Sequence, residues 1–500
     1  MTSEAFVFRL PAEIFIEVVE IAILVPPKAI RYVAFDSDYK RDSVLLLRLS
    51  HVCHLWRALI TETPSLWSFA STLYGPELTQ HAIELSHESL LTVDLDLLTG
   101  TWSKNSVSAT KLYEQQTRIK SLKISLYHDN KNPKTAARPF LEAPAPSLQA
   151  VSIICHGLPR THSEFRVTMP LFSDDHPRLR SVHLSHIALP WNSSIFSGLT
   201  RLVVQQVPTS KGPKSQQLLS ILNNCLDLVD LELSNAGPID EIPDRRERIS
   251  LCRLLSLSLY MPQATCKDFL SLLDLPKLVR LSIGHDEKCD QDVRRLVPSH
   301  MRPPQASQSV EVTIHPSLNY SRIVFRSGTS DQHPESFRFH YYYKRGDDFD
   351  AKCNFVTSAL VAWDENHAMP MTLRVTLDPF RSGDVPLAAL GRVLSLFSNI
   401  VSIVFTTIAR SGYEDDVYDA LYILEETVKH GQLTAPLLAE LTFQRMRFAG
   451  RFDALRHILQ FRSTNGAVLP HLTFKTCTGI QVSQLGQLCD EKIICDFSLI

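Results

Sequence analysis

The sequence predicts an α/β fold: a small three-helix unit at the N-terminus, then an irregular, leucine-rich-repeat-like α/β solenoid with parallel strands. Three observations lead there. Residues 8–70 carry apolar positions at helical spacing and two tryptophans, Trp56 and Trp67, in a stretch too short to bury them all by itself. From about residue 80 a triplet recurs, apolar at its first, fourth and sixth positions. Its interval falls in the range of leucine-rich repeats, and helical patterns lie between several of the triplets.

In chain order, Leu10-Pro11-Ala12-Glu13-Ile14-Phe15 reads as a loop entering an amphipathic helix. Pro11 suits a first turn, where the missing N–H has no partner to lose, and Glu13 suits the positive helix end. Ile14, Phe15, Val18, Val19 and Ala22 then recur at helical spacing. A second helix is predicted through Leu46, Leu49, Val52, Cys53 and Trp56 as one stripe, ending before Thr63-Pro64. Residues 64–67 then turn the chain and carry Trp67.

The stretches LPAEIF (10–15), LSHVCHLWR (49–57) and PSLWSF (64–69) resemble the F-box, most closely the variant in mushroom-type fungal F-box proteins with leucine-rich-repeat-like C-terminal regions. The resemblance covers 8–70, with 26–42 as an insertion between the first and second helices. It implies a substrate-recognition subunit of a Skp–cullin–F-box type ubiquitin ligase. In that family the F-box docks a Skp-family adaptor, and through it a cullin-RING ligase, while the repeat domain holds a protein substrate. Matched by motif, Leu10, Pro11, Ile14, Val52, Cys53, Trp56 and Leu66 are the adaptor contacts or their immediate support. The competing reading is that these residues are only the core of a small helical cap on the repeats. A non-catalytic scaffold that does not direct ubiquitylation is the functional alternative.

The triplets begin at Leu90, Ile119, Leu148, Leu179, Leu199, Leu228, Leu254 and Leu278, separated by 29, 29, 31, 20, 29, 26 and 24 residues. Each ends in two apolar residues flanking one variable residue, as a short strand does. Helical patterns at 215–226 and 265–273 make parallel strands with helical crossovers the economical topology. A regular repeat places Asn or Cys three residues past each strand to build a hydrogen-bonded ladder. Tyr127, His156, Ile187, Val207, Ala236 and Pro262 stand there instead, so no regular side-chain ladder is expected. The first repeat array is assigned to 80–291 and an irregular, strand-rich insertion to 292–370. The pattern resumes over 371–500 with Leu373-Val375-Leu377, Ile400-Ile403-Phe405, Leu438-Leu441-Phe443 and Leu469-Leu472-Phe474. Helices are predicted over 386–397, 413–429 and 452–461.

Composition narrows the function. With 51 basic and 53 acidic residues the net charge is −2, which is no footprint for nucleic acid. No leader peptide is expected, and the apolar run 14–25 is short for a bilayer and holds Glu17 and Glu20. Ten scattered cysteines without a C-x-x-C point to free thiols and a cytoplasmic or nuclear address. The chain is read as no enzyme and as needing no cofactor or metal. It has no G-x-G-x-x-G, G-K-[ST] or G-x-S-x-G. His51, Cys53 and His54 read as packing residues, and His285-Asp286-Glu287 with Cys289 as a solvated loop. Tyr341-Tyr342-Tyr343 reads as an edge strand. Whether Arg180, Arg201 and Arg280 converge on one face to read a phosphorylated motif is a question for the tertiary structure.

Overall fold

The structure is a computed structural model. It describes residues 10–25, 40–97, 102–127, 131–156, 165–166, 171–207, 211–242, 248–284, 296–298, 301, 309–314, 320–326, 337–342, 349–363, 369–377, 394, 397–407, 435–448, 450–481, 483–485 and 494–498. The protein is α/β, with strands that pair mostly in parallel. It divides into two compact units, 1–240 and 241–500.

The first unit opens with α1 (Ala12–Ile23), α2 (Ser43–Ser50) and α3 (His54–Thr61). Pro11 caps α1 and Glu13 lies in its first turn. A two-residue antiparallel ladder, Leu24–Val25 against Lys40–Arg41, closes the base of the predicted insertion, of which 26–39 lie outside the described residues. Asp42 then caps α2, its Oδ1 accepting from Leu45 N at 2.8 Å. The single helix predicted through Leu46 to Trp56 is two helices. The chain turns at His51–Cys53, a run of residues that hold a helix poorly. The freed groups find partners: Arg57 Nε donates to Ser50 O at 3.2 Å, and Cys53 Sγ accepts from Trp56 N at 3.5 Å.

The parallel sheet begins at Phe69, earlier than the boundary at 80 that the sequence suggested. The strands are β1 (Phe69–Ser71), β2 (Leu91–Asp96), β3 (Ile119–Tyr127), β4 (Ala150–His156), β5 (Ser181–Ser185), β6 (Arg201–Gln205) and β7 (Asp230–Ser234). Each pairs in parallel with the next. The register superimposes the predicted triplets. Val93, Leu122, Val151, Val182, Leu202 and Leu231 form one buried row, and Leu95, Ile124, Ile153, Leu184, Val204 and Leu233 the next. Each such side chain contributes about 1.5–3 kcal/mol on burial. Helices α4 (Gly75–Leu85), α5 (Trp102–Tyr113), α6 (Lys131–Glu142) and α7 (Ser215–Asn223) cross between strands. Between β5 and β6 the connection holds no α-helix, only the two-residue strand Ile187–Ala188 and a 3₁₀ turn, Ser194–Phe196, which explains the short 20-residue interval there.

A backbone device takes over from the missing Asn ladder. Residues His186, Gln206 and Asn235 leave their strands with positive φ, and the apolar residue after each, Ile187, Val207 and Ala236, is buried. His186 N donates to Gln205 O at 2.9 Å, Gln206 N to Ser234 O at 2.6 Å and Val207 N to Asn235 O at 3.0 Å. Main chain thus bonds to main chain from one repeat to the next, and the side chain at the ladder position is released to the core.

The second unit runs β8 (Ser256–Tyr260), α8 (Gln263–Ser271) and β9 (Arg280–Gly284). Then come β10 (Ser309–Ile314), β11 (Tyr320–Arg326), β12 (Phe337–Tyr342), α9 (Phe349–Trp363) and β13 (Met371–Leu377). It continues with β14 (Ile400–Thr407), β15 (Glu440–Gln444), α9's later counterpart α10 (Phe452–Thr464), β16 (His471–Lys475) and β17 (Ile494–Ser498). The spatial order is β8-β9-β12-β11-β10-β13-β14-β15-β16-β17. The segment 292–370, expected to interrupt the array, supplies three of its interior strands. β11 lies antiparallel between β10 and β12, so the all-parallel expectation fails at this one strand. Phe337–Tyr342 is likewise interior, bonded on both sides, and not an edge. α9 covers the apolar face of this inset: Trp363 meets Phe325, Phe337 and Phe339, and Phe355 stacks on Tyr341 at 3.8 Å.

In the later strands the register aligns Leu373 and Val375 with Ile403 and Phe405. Leu377 therefore lies beyond the triplet, opposite Thr407. Phe405, Phe443 and Phe474 stack at 5.8 Å steps, with Phe448 edge-on to Phe443 at 5.0 Å. The helices predicted over 386–397 and 413–429 lie outside the described residues, apart from isolated positions near 397, as does the His285–Cys289 loop.

Candidate functional site

The wide apolar face of α1 is divided between two environments. Phe15, Val19 and Ile23 point inward and are buried, and Phe15 packs on Trp56 with ring centroids 4.8 Å apart. Ile14, Val18 and Ile21 lie at i, i+4 and i+7 on an adjacent stripe and are 45%, 53% and 64% exposed. Leu24 continues that line, and Glu13 and Glu17 are exposed beside it. Val52 and Leu55, on the α2–α3 turn and the first turn of α3, are also exposed.

The residues singled out from the sequence therefore separate by role. Pro11, Ile14 and Val52 are exposed. Leu10, Cys53 and Trp56 are half-buried: Cys53 caps α3 and Trp56 supports Phe15. Leu66 is 2% exposed, a core residue whose place is with the supporting residues and not the surface ones. Val18, Ile21, Leu24 and Leu55 were missed as surface residues. The available signal was the width of the α1 apolar face, which exceeds what one buried stripe requires.

The unit is held to the sheet that follows it. Trp67 is buried, donates from Nε1 to Ile60 O at 2.9 Å, and meets His81 of α4 edge-on at 5.0 Å. Its burial answers part of the packing deficit that the sequence presented, from within the chain. Two residues on, Phe69 pairs with Thr92 of β2. Tyr74, at the start of α4, has its phenol pushed up by burial and then by the carboxylates of Asp42 and Asp94.

Elsewhere the described residues offer little chemistry. None of them form a group of three or more His, Cys, Asp or Glu placed to hold a metal ion. Ser152 Oγ lies 3.0 Å from His183 Nδ1 across β4 and β5, but the flanking positions in that row are Lys123 and Val203, which supply no orienting carboxylate. Among the described residues no helix is long and apolar enough to cross a membrane. Arg201 is paired with Asp230 at 3.2 Å in the first unit, and Arg280 lies on β9 in the second.

No family model matches the chain, and no curated protein matches it.

Proposed function

We propose that this chain is the substrate-recognition subunit of a Skp–cullin–F-box type ubiquitin ligase. In this reading 8–70 is an F-box that docks the Skp-family adaptor, and the strand-rich remainder is an irregular leucine-rich-repeat-like solenoid that binds a protein substrate. The observation that carries it is the solvent-facing apolar stripe Ile14, Val18 and Ile21, on helices that resemble the F-box and are anchored to the sheet through Trp67. A half-exposed aliphatic gains about 1 kcal/mol when a partner covers it, so the stripe with Val52 and Leu55 supplies several kcal/mol toward docking. Catalysis belongs to other subunits, and this chain acts by raising the local concentration of substrate lysines.

The test is co-expression with a Skp-family adaptor followed by size-exclusion chromatography. A stable complex is expected, lost in Leu10→Ala with Pro11→Ala and in Ile14→Asp with Val18→Asp, while circular dichroism stays unchanged. Adaptor retained by both double variants overturns the reading. A complex that forms but never promotes ubiquitylation of bound partners leaves an adaptor-bound scaffold.

A further inference from the structure

The sheet face opposite the α9 core carries an unusual charge arrangement. Arg280 on β9 is directly opposite Arg338 on β12. His340, two residues along, is opposite Arg322 on β11, which is opposite Thr313, which is opposite Arg374 on β13. Arg326 lies four residues from Arg322 on the same side of β11. Side chains alternate faces along a strand and directly opposed residues share one, so all five arginines emerge on one face. On β9 to β13, among the described residues, a single carboxylate shares that face: Glu311 of β10.

Glu311 is 8% exposed and holds three of the guanidiniums: Arg322 at 3.1 Å, Arg326 at 2.8 Å and Arg374 at 3.0 Å. Among the described residues of these strands, that one carboxylate faces five guanidiniums. Among the described residues Arg280 and Arg338 make no ion pair, and both are exposed. The electrostatics show the imbalance. Burial, then repulsion from Arg280, Arg322 and Arg326, pushes Arg338 down. Burial and the same arginine cluster push His340 down to about 4, so it stays neutral and adds no charge. Like charges are costly to gather, and a fixed set of guanidinium forks on rigid strands suits planar recognition of an oxyanion.

We infer that this face is a docking site for a phosphate monoester carried on a peptide segment of a protein partner. Charge complementarity and extent select that occupant. The patch spans five strands and then stops: along the Glu311 row the next residues are Thr372, Ser402 and Glu440, the last a carboxylate. A nucleic acid needs a basic track matched to many phosphates, and this chain has a net charge of −2. A local surplus fits one or two dianionic groups instead. Glu311 orients three forks in advance, which lowers the ordering cost of binding. That the partner is a ubiquitylation substrate rests on the function proposed above; the docking site itself does not.

The test uses the full chain without adaptor. Fluorescence anisotropy compares a fluorescein-labelled degenerate peptide library with a central phosphothreonine, the same library unphosphorylated, and a single-stranded DNA oligonucleotide. The phosphorylated library is expected to bind about tenfold tighter than the other two probes. Arg280→Gln with Arg338→Gln, neither of which touches Glu311, is expected to erase that preference, as is Arg322→Gln with Arg374→Gln. Arg180→Gln, in the other unit, is expected to keep it. If thermal melting shows the Arg322/Arg374 variant unfolded, the Arg280/Arg338 variant decides alone. Equal binding of the two libraries, a preference that survives the Arg280/Arg338 substitutions, or DNA bound as tightly as phosphopeptide overturns the inference. Any of these results leaves adaptor binding, measured separately, untouched.

Discussion

Replacing Trp67 by alanine tests how the N-terminal helices are held to the sheet. Trp67 is 1% exposed, donates to Ile60 O at 2.9 Å, and packs edge-on against His81. Removing the indole leaves a cavity between α3 and α4 and withdraws the donor from the Ile60 carbonyl. A buried aromatic cut to alanine costs about 3–5 kcal/mol, and the lost hydrogen bond is contained within that range. Trp67→Phe keeps most of the volume and loses the hydrogen bond, at about 1 kcal/mol plus a smaller packing loss. Against a total stability of about 5–15 kcal/mol, the alanine variant is severely weakened. The assay is urea unfolding followed by circular dichroism and by fluorescence of the remaining tryptophans. With a slope of about 2 kcal/mol per molar, the alanine variant moves the first unit's midpoint down by roughly 2 M and the phenylalanine variant by about 0.5 M. Limited proteolysis should cut 10–70 first in the alanine variant. A midpoint change below about 0.3 M for Trp67→Ala, or equal shifts for both variants, would refute the claim that this side chain joins helices to sheet.

Three further predictions concern the second unit. Gly284 sits between Tyr260 and Tyr342 in the register, and a Cβ there would lie 2.4 Å from the Tyr260 ring and 2.8 Å from Tyr342 Cβ. Gly284→Ala should therefore destabilise by about 1–3 kcal/mol, read as a lowered melting temperature, and a neutral result would refute the close approach. His340 is held at about 4 when folded and returns to the usual imidazole value near 6.5 when unfolded. The unfolded chain then binds more protons between these values, so stability falls as pH drops from about 6.5 to 4. Subtracting the pH profile of His340→Gln from the wild type should isolate this slope, and identical profiles would disprove it. Among the cysteines, Cys252 is exposed, whereas Cys266 is fully buried with its thiol pushed up to about 12 by burial. Mapped maleimide labelling should modify Cys252 in the native protein and Cys266 only in denaturant; early labelling of Cys266 would contradict the α8 packing.

The triplet pattern was readable because a strand buried on one side by a parallel neighbour must repeat its apolar positions in register. Val93, Leu122, Val151, Val182, Leu202 and Leu231 align without a gap because each triplet occupies the same place in its repeat. The break in the helix at His51–Cys53 was not readable. Its apolar residues keep helical spacing on both sides, which masks the weak helix preference of His51–Cys53, and the bonds from Arg57 to Ser50 O and from Trp56 N to Cys53 Sγ that hold the turn are made only in the folded chain. The motif marks adaptor contacts and their immediate support without separating the two: Ile14 and Val52 are exposed, whereas Leu66 is buried. A motif identifies residue types at intervals and does not say which of two adjacent stripes faces solvent. Helix α1 makes this plain: Phe15 and Val19 go inward while Ile14 and Val18, one position before each, stay out.

By itself, then, the sequence determined the α/β class, the places of the repeating strands and the candidate residues of the N-terminal unit, because periodicity and motif are local properties. The tertiary structure decided the rest. It placed β11 antiparallel inside an otherwise parallel array and carried β12 back beside β9. It thereby brought Arg280, distant in sequence, onto one face with Arg322, Arg326, Arg338 and Arg374. That convergence depends on strand order and register, which are set by the long-range packing of the apolar face under α9, and no local pattern encodes which strands become neighbours.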